Sequence, residues 1–516
     1  MALAQRLGGV LLHPTSLPGP HGSGDLGPAA FHFVDWLVAA AQNVWQVLPL
    51  TPVGYGSSPY AGVSAFAGSP QLVALEPLVE RGWLATIAAD ELRDTNLSHI
   101  DFARVEPWRL QKLRAAFAGF SQRASSADRT ALAAFCGEHK SWLGDYALFM
   151  ALDVHYRKSE TWIWSKWEPA LARRERSALA KARKSFAVEI GFWQFVQWCF
   201  FTQWRAVKDY ANHKGVQVVG DLPIFVAHHS ADCWARPDLF LVDPAFEPSV
   251  VAGVPPDFFS PTGQRWGNPL YDWKAMQKEG FAWWIARVRH ELARADLVRI
   301  DHFRGFAGYW EIPATCETAI EGRWVAAPGQ ALFATLQKTF GELPVIAEDL
   351  GVITPDVEAL RDDFGLPGMT ILQFGFGGDA NHKFLPHNHT PNSCVYTGTH
   401  DNDTVVGWWH GATERERGYA AAYLQCNAAN AHWQMIRAAW ASVARLAVCQ
   451  MQDALGLGSE ARMNTPARLD CWTWRFTWDQ VGEQPAARLA QLSAAYGRAP
   501  IDRLHLADYP ADARLP

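Results

Sequence analysis

The chain is 516 residues long with a formal net charge of -6, and 49% of its residues are hydrophobic against 19% charged. A chain this apolar builds a large core and is not intrinsically disordered. No long like-charge block is present, and the densest basic run, Arg173 to Lys184, alternates with Glu175, Ala and Leu at helical spacing, as a solvated helix face does; nucleic acid and membrane are therefore not expected partners.

The opening MALAQRLGGVLLHP holds too short an apolar stretch for a signal peptide, and no run of about 18 apolar residues occurs anywhere. The first strand is expected in GGVLLHPTS, followed by an amphipathic helix from Ala29 to Gln42 and a second strand in WQVLPLTP. Residues 56–208 are too many for a strand-to-helix loop, and helical patterns at Trp108 to Ala118, Asp128 to Cys136, Trp142 to Tyr156 and Glu189 to Tyr210 predict a mainly helical insertion. VQVVGDLP resumes the strands. A second insertion, 227–279, is rich in Pro, Gly and aromatics without periodicity and reads as an ordered aromatic loop over a site.

The helix Phe281 to Arg294 then leads to LVRIDHFRG, Leu332 to Phe340 to PVIAEDLG, and Pro355 to Phe364 to MTILQFGF, with CVYTGTHDND next. A long helical span from Ala431 to Gln452 follows, which leaves RMNTP at 462–466 as the candidate eighth strand. Short apolar runs alternating with helices mean α/β, and eight of them, with polar residues at their C-terminal ends, favour a (β/α)8 TIM barrel over the alternative of an open sheet. Neither internal repeats nor low-complexity linkers are visible, so the insertions are expected to pack on one barrel spanning 1–516.

Three strand ends finish in carboxylates: Asp301, Glu348 and Asp401. A lone strand-end acid usually caps the next helix, and that reading is preferred for Asp349 and Asp403. Three acids converging at one barrel mouth suit instead the retaining cleavage of a glycosidic bond, which needs a nucleophilic carboxylate and a proton donor. Arg299 lies two residues before Asp301, hence on the same strand face, where its charge favours the ionised carboxylate; His302 and His400 add donors. The 25 tryptophans are either core packing or platforms for sugar rings. Eight cysteines without CxxC pairs or regular spacing read as reduced thiols and a cytoplasmic protein.

Taken together and in order, GYGSSPY, GDLPIFVA, PTGQRWGNPLYDW, RIDHFRG, AEDLG and TGTHDNDT closely resemble the amylomaltase (4-α-glucanotransferase) family, from HPTSLPGPHGSGDLG near the start to WTWRF near the end. The resemblance implies a (β/α)8 catalytic barrel with inserted subdomains, no separate C-terminal β-domain, no calcium requirement and no other cofactor or metal. It implies Asp301 as nucleophile, Glu348 as general acid/base and Asp401 as stabiliser of the transition state. Arg299, His302 and His400 would contact the cleaved sugar, Tyr60 would stack beneath it with Asp221 bordering the same subsite, Gln264 and Trp266 would stand on the acceptor side, and Asn268 would shape the exit. The loop from Val251 to Gly263 resembles the flap that arches over bound glucan.

Substrates would be α-1,4-glucans and maltooligosaccharides, with glucose as an acceptor. The chain departs from the family's Asn-x-Pro-Gly and Asn-Trp-x-Trp-Arg at Asn464-Thr-Pro466-Ala467 and at Cys471-Trp472-Thr-Trp474-Arg475. An α-glucan hydrolase on the same fold and a catalytically silent glucan-binding protein are the alternatives to a transferase.

Overall fold

The computed structural model describes residues 5–88, 91–92, 97–157, 159, 161–256, 260–466 and 468–499. Twelve strands occur among them: β1 Leu7–Leu11, β2 Val44–Gln46, β3 Gln217–Leu222, β4 Val250–Val254, β5 Gln264–Pro269, β6 Leu297–Ile300, β7 Gly308–Pro313, β8 Arg323–Ala326, β9 Val345–Ala347, β10 Gly368–Ile371, β11 Ser393–Tyr396 and β12 Leu446–Gln450. Eight of them form one parallel sheet in the order β10-β11-β12-β1-β2-β3-β6-β9.

The sheet closes between β9 and β10. Ala347 N–H donates to Pro367 O at 2.9 Å, and the Asp349 carboxylate accepts from Met369 N–H at 2.7 Å while its other oxygen accepts from Arg361 at 2.5 Å. The result is the (β/α)8 barrel that the alternating pattern predicts, its strands rich in Val, Ile and Leu because both faces are covered. At one point close approach demands glycine: a Cβ on Gly9 in β1 would lie 2.6 Å from the Cβ of Val44 in β2.

Seven strands arise in the predicted runs, but the eighth does not. It is LAVCQ at Leu446–Gln450, every residue buried between β11 and β1, whereas Arg462 to Pro466 forms no strand. The helix before it ends at Ala441, and the Ser442–Arg445 link contains neither Gly nor Pro. The apolar residues of a buried strand thus continue the helical rhythm without punctuation.

Helices Phe102–Arg123, Ser126–Glu138, Leu143–Tyr156, Arg176–Ser185 and the 27-residue Ala187–His213 lie between β2 and β3. The region read as an aromatic loop holds β4 and β5 instead, antiparallel to each other; with β7 and β8 they make a four-stranded sheet, β5-β4-β7-β8. Its periodicity is hidden because half the partners come from 308–326, outside the segment, and β5 buries only Pro269 fully. Residues 257–259 of the expected flap lie outside the described residues. All eight cysteines are unpaired, and among the described residues no helix is long and apolar enough to cross a membrane.

Candidate active site

Asp301 follows directly on β6, and the pleat puts its side chain on the face that carries Arg299. Arg299 Nη2 donates to Asp301 Oδ1 at 2.9 Å, and Nη1 donates to both oxygens of Asp221 at 2.9 and 2.8 Å. Asp221 is the residue opposite Arg299 on β3, so sheet register builds this pair. Tyr60 O–H donates to Asp221 Oδ2 at 2.7 Å. A charge-assisted chain thus runs Tyr60, Asp221, Arg299, Asp301, and exposure rises along its acidic members from 0% at the Asp221 side chain to 27% at Asp301.

Asp221 therefore does not line the cleft, contrary to its expected place beside the sugar. It lies beneath the floor, where burial raises its carboxyl while Arg299 acts against that rise. Its part is to hold Arg299 and Tyr60.

Glu348 follows β9. Its Oε2 accepts from His302 N–H at 2.6 Å and its Oε1 from Leu350 N–H at 3.0 Å. His302 can present that N–H because its backbone is left-handed, φ 50 and ψ 48, a conformation that side-chain-bearing residues adopt rarely and that clusters at functional sites. Burial pushes the Glu348 carboxyl up to about 8; Arg299 and the two backbone donors oppose that rise, and Asp301 reinforces it.

Asp401 lies past β11 and is the most open of the three acids, its side chain 43% exposed. Asn464 Nδ2 donates to its Oδ1 and Arg462 to its carbonyl, both at 2.5 Å, and His400 Nε2 lies 3.4 Å from Oδ2. The segment read as an eighth strand is thus the support of the third acid. Cys471 meets that support, its Sγ accepting from Thr465 N–H at 3.2 Å, so the two segments that depart from the family pattern are in contact through Thr465 and Cys471. Ala467 lies outside the described residues.

Tyr60 stacks on His400 with ring centroids 5.0 Å apart and planes 13° from parallel, and Trp472 tilts against both. Across the mouth, β5 carries Gln264 and Trp266, with Trp266 Nε1 donating to Gln264 Oε1 at 3.1 Å and the indole set edge-on to His302 at 4.8 Å. Asn268 donates to Val226 O at 3.0 Å, fastening β5 to the segment after β3.

One cleft of 1120 Å³ joins these groups: Tyr60, Gln264, Trp266, Asn268, Arg299, Asp301, His302, Glu348, His400 and Asp401 all line it. Sequence reasoning assigned no role to Trp162, Arg304, Trp324, Asn464 or Trp472, which line it too. Arg304 and Trp472 stand inside quoted motifs, but Trp324 sits in a short exposed strand with no pattern to mark it. Most tryptophans are core. Those more than a third exposed are Trp162, Trp266 and Trp324, and all three face this cleft.

Among the described residues, the group with metal-ligand spacing is His21, Asp25 and Glu76. Arg109 already lies 2.6 Å from Asp25 there, and its guanidinium takes the place of a cation.

A family model described as 4-alpha-glucanotransferase matches residues 12–480. The 4-alpha-glucanotransferase of Thermus thermophilus is 50% identical over 501 residues, covering 95% of this chain and 98% of that protein. That of Synechocystis sp. is 46% identical, covering 96% and 99%. Among solved structures, an amylomaltase from Streptococcus agalactiae in complex with acarbose superposes with a TM-score of 0.91 at 37% identity, covering 96% of this chain and 100% of that one. An amylomaltase from Corynebacterium glutamicum, 20% identical and covering 95% and 76%, shares the fold with a TM-score of 0.76.

Proposed function

The chain belongs to the 4-alpha-glucanotransferase family, and from that premise we propose how its residues divide the work of moving an α-1,4-glucan segment between sugars. Asp301 is the nucleophile: its carboxylate attacks the anomeric carbon while Glu348 gives its proton to the departing glycosidic oxygen, and the C–O bond to the leaving glucan breaks. The 4-hydroxyl of an acceptor then attacks the same carbon, Glu348 takes the hydroxyl proton, and the bond to Asp301 breaks with net retention. Asp401 holds sugar hydroxyls as the ring gains positive charge. Arg299, His302 and His400 contact the cleaved sugar, Tyr60 stacks beneath it, and Gln264 and Trp266 receive the acceptor. Asp221 and Asn268 position their neighbours.

The observation that carries this reading is the contrast between two neighbouring carboxyls. Asp301 is paired with Arg299 at 2.9 Å, whereas burial keeps the Glu348 carboxyl protonated near neutrality, which is how one site supplies both a nucleophile and an acid. Water at roughly 55 M competes for the intermediate, so transfer needs an oriented sugar hydroxyl and a cover that excludes solvent; the β4–β5 pair with Trp266 supplies both.

The whole chain acts as one catalytic barrel, with residues 56–208 and 227–279 as insertions that wall the cleft. Maltooligosaccharides are donors and acceptors, and glucose is an acceptor as well. Unpaired cysteines throughout support a reducing, cytoplasmic setting. The test is incubation with maltotriose alone: longer oligosaccharides at nearly constant total reducing ends are expected, and rising reducing ends without longer products would make the chain a hydrolase.

A further inference from the structure

Trp324 on β8 is 42% exposed, although a large apolar ring on an edge strand gains by being covered. Its orientation is fixed from behind. The Arg304 guanidinium lies 3.6 Å from the ring centroid, and Arg304 is itself buried, its Nη1 donating to Val352 O at 2.5 Å and its Nε to Gly308 O at 3.3 Å. Trp310, directly opposite on β7, meets Trp324 edge-on at 5.2 Å. A ring locked on one face and one edge, with the remainder open to the cleft, binds a flat partner at little entropic cost.

We propose that Trp324 is a sugar platform on the acceptor side, remote from the bond that breaks, which gives the enzyme its preference for oligosaccharide over glucose acceptors. The proposal rests on the transferase reading above. Its side is set by Glu348: the proton donor stands where the leaving group departs and the acceptor enters. The segment after Glu348, Leu350 to Val352, runs to the carbonyl that anchors Arg304 beneath Trp324. Trp266, on the opposite edge strand of the same sheet, covers the acceptor sugar next to the reacting carbon; Trp324 meets a later ring of the same chain. Glucose is too short to reach it.

The experiment uses the full chain with saturating α-maltosyl fluoride as donor, and compares kcat/KM for maltotriose and glucose as acceptors. Trp324→Ala is expected to lower the maltotriose-to-glucose ratio about tenfold, the loss of one aromatic contact, and Trp324→Tyr to restore most of it. Trp324→Phe, which keeps a ring and the strand, should give an intermediate ratio and keeps the test open if the alanine variant melts early. A ratio within twofold of the parent in all three variants, equal losses for both acceptors, or a loss that follows donor length instead would each overturn the proposal. Failure of the parent to form longer products would overturn the transferase reading itself.

Discussion

Glutamine at position 348 is the sharpest probe of the site, because the geometry makes it other than a silent replacement. Both Glu348 oxygens accept from backbone, Oε2 from His302 N–H at 2.6 Å and Oε1 from Leu350 N–H at 3.0 Å. A glutamine satisfies one of these donors and turns its own NH2 toward the other, so Glu348→Gln should cost about 1–3 kcal/mol of stability through one buried unsatisfied donor. Glu348→Ala, which opens both donors to water in the cleft, should cost less. On activity, both lose the proton donor, and transfer from maltotriose should fall by about 10²–10⁴-fold, or about 3–5 kcal/mol of barrier. A fluoride leaving group needs no proton, so α-maltosyl fluoride should still load Asp301 in these variants, and intact-mass measurement should find the glycosyl-enzyme accumulating because its breakdown lacks a base. Retention of more than a tenth of maltotriose transfer, or equal losses with the fluoride, would refute the assignment of Glu348.

Because burial raises the Glu348 carboxyl to about 8, kcat/KM should decline as pH rises through that value, measured by maltotriose disproportionation across the range. The same shift has a stability sign: between the ordinary glutamate pKa and about 8 the folded state binds a proton that the unfolded state lacks, so this group's contribution falls as pH rises through that window, which thermal melts of the parent and Glu348→Ala should show as a difference. Asp221→Asn keeps the side chain's shape but removes the charge that faces both Arg299 and Tyr60; Arg299 keeps Asp301 as its remaining counter-ion, so the cost should stay below the about 3–5 kcal/mol of a buried ion left wholly unpaired, and a lowered melting temperature together with a fall in kcat is expected. Asn464→Ala releases one Asp401 oxygen and should lower kcat at least tenfold with the melting temperature nearly unchanged, as expected of a residue that positions a catalytic group.

Seven barrel strands and all three acids are legible in the sequence because a doubly covered strand is a short apolar run that ends where its chemistry begins. β12 is not, since a buried strand that follows a helix without Gly or Pro shares its alphabet. Asp221 is expected beside the sugar only through the resemblance of GDLPIFVA to the family; the register opposite Arg299 makes it an internal counter-ion, and nothing in the local sequence marks that pairing. Asn464 stays silent for a related reason. A loop residue that holds a distant acid has no periodicity, and its partner lies 63 positions away.

The pairing Leu7 with Leu446 orders events in time. A ribosome makes β1 first and β12 last among the barrel strands, so the oldest strand waits through the synthesis of almost the entire chain for one of its two neighbours. Loop closure over that distance is slow and rewarded late. Asp301, Glu348 and Asp401 all precede β12, but Asn464 follows it, and the cleft is completed only after the ring is sealed. A nascent chain therefore carries the three acids before the segment that supports Asp401 through Asn464 has been made.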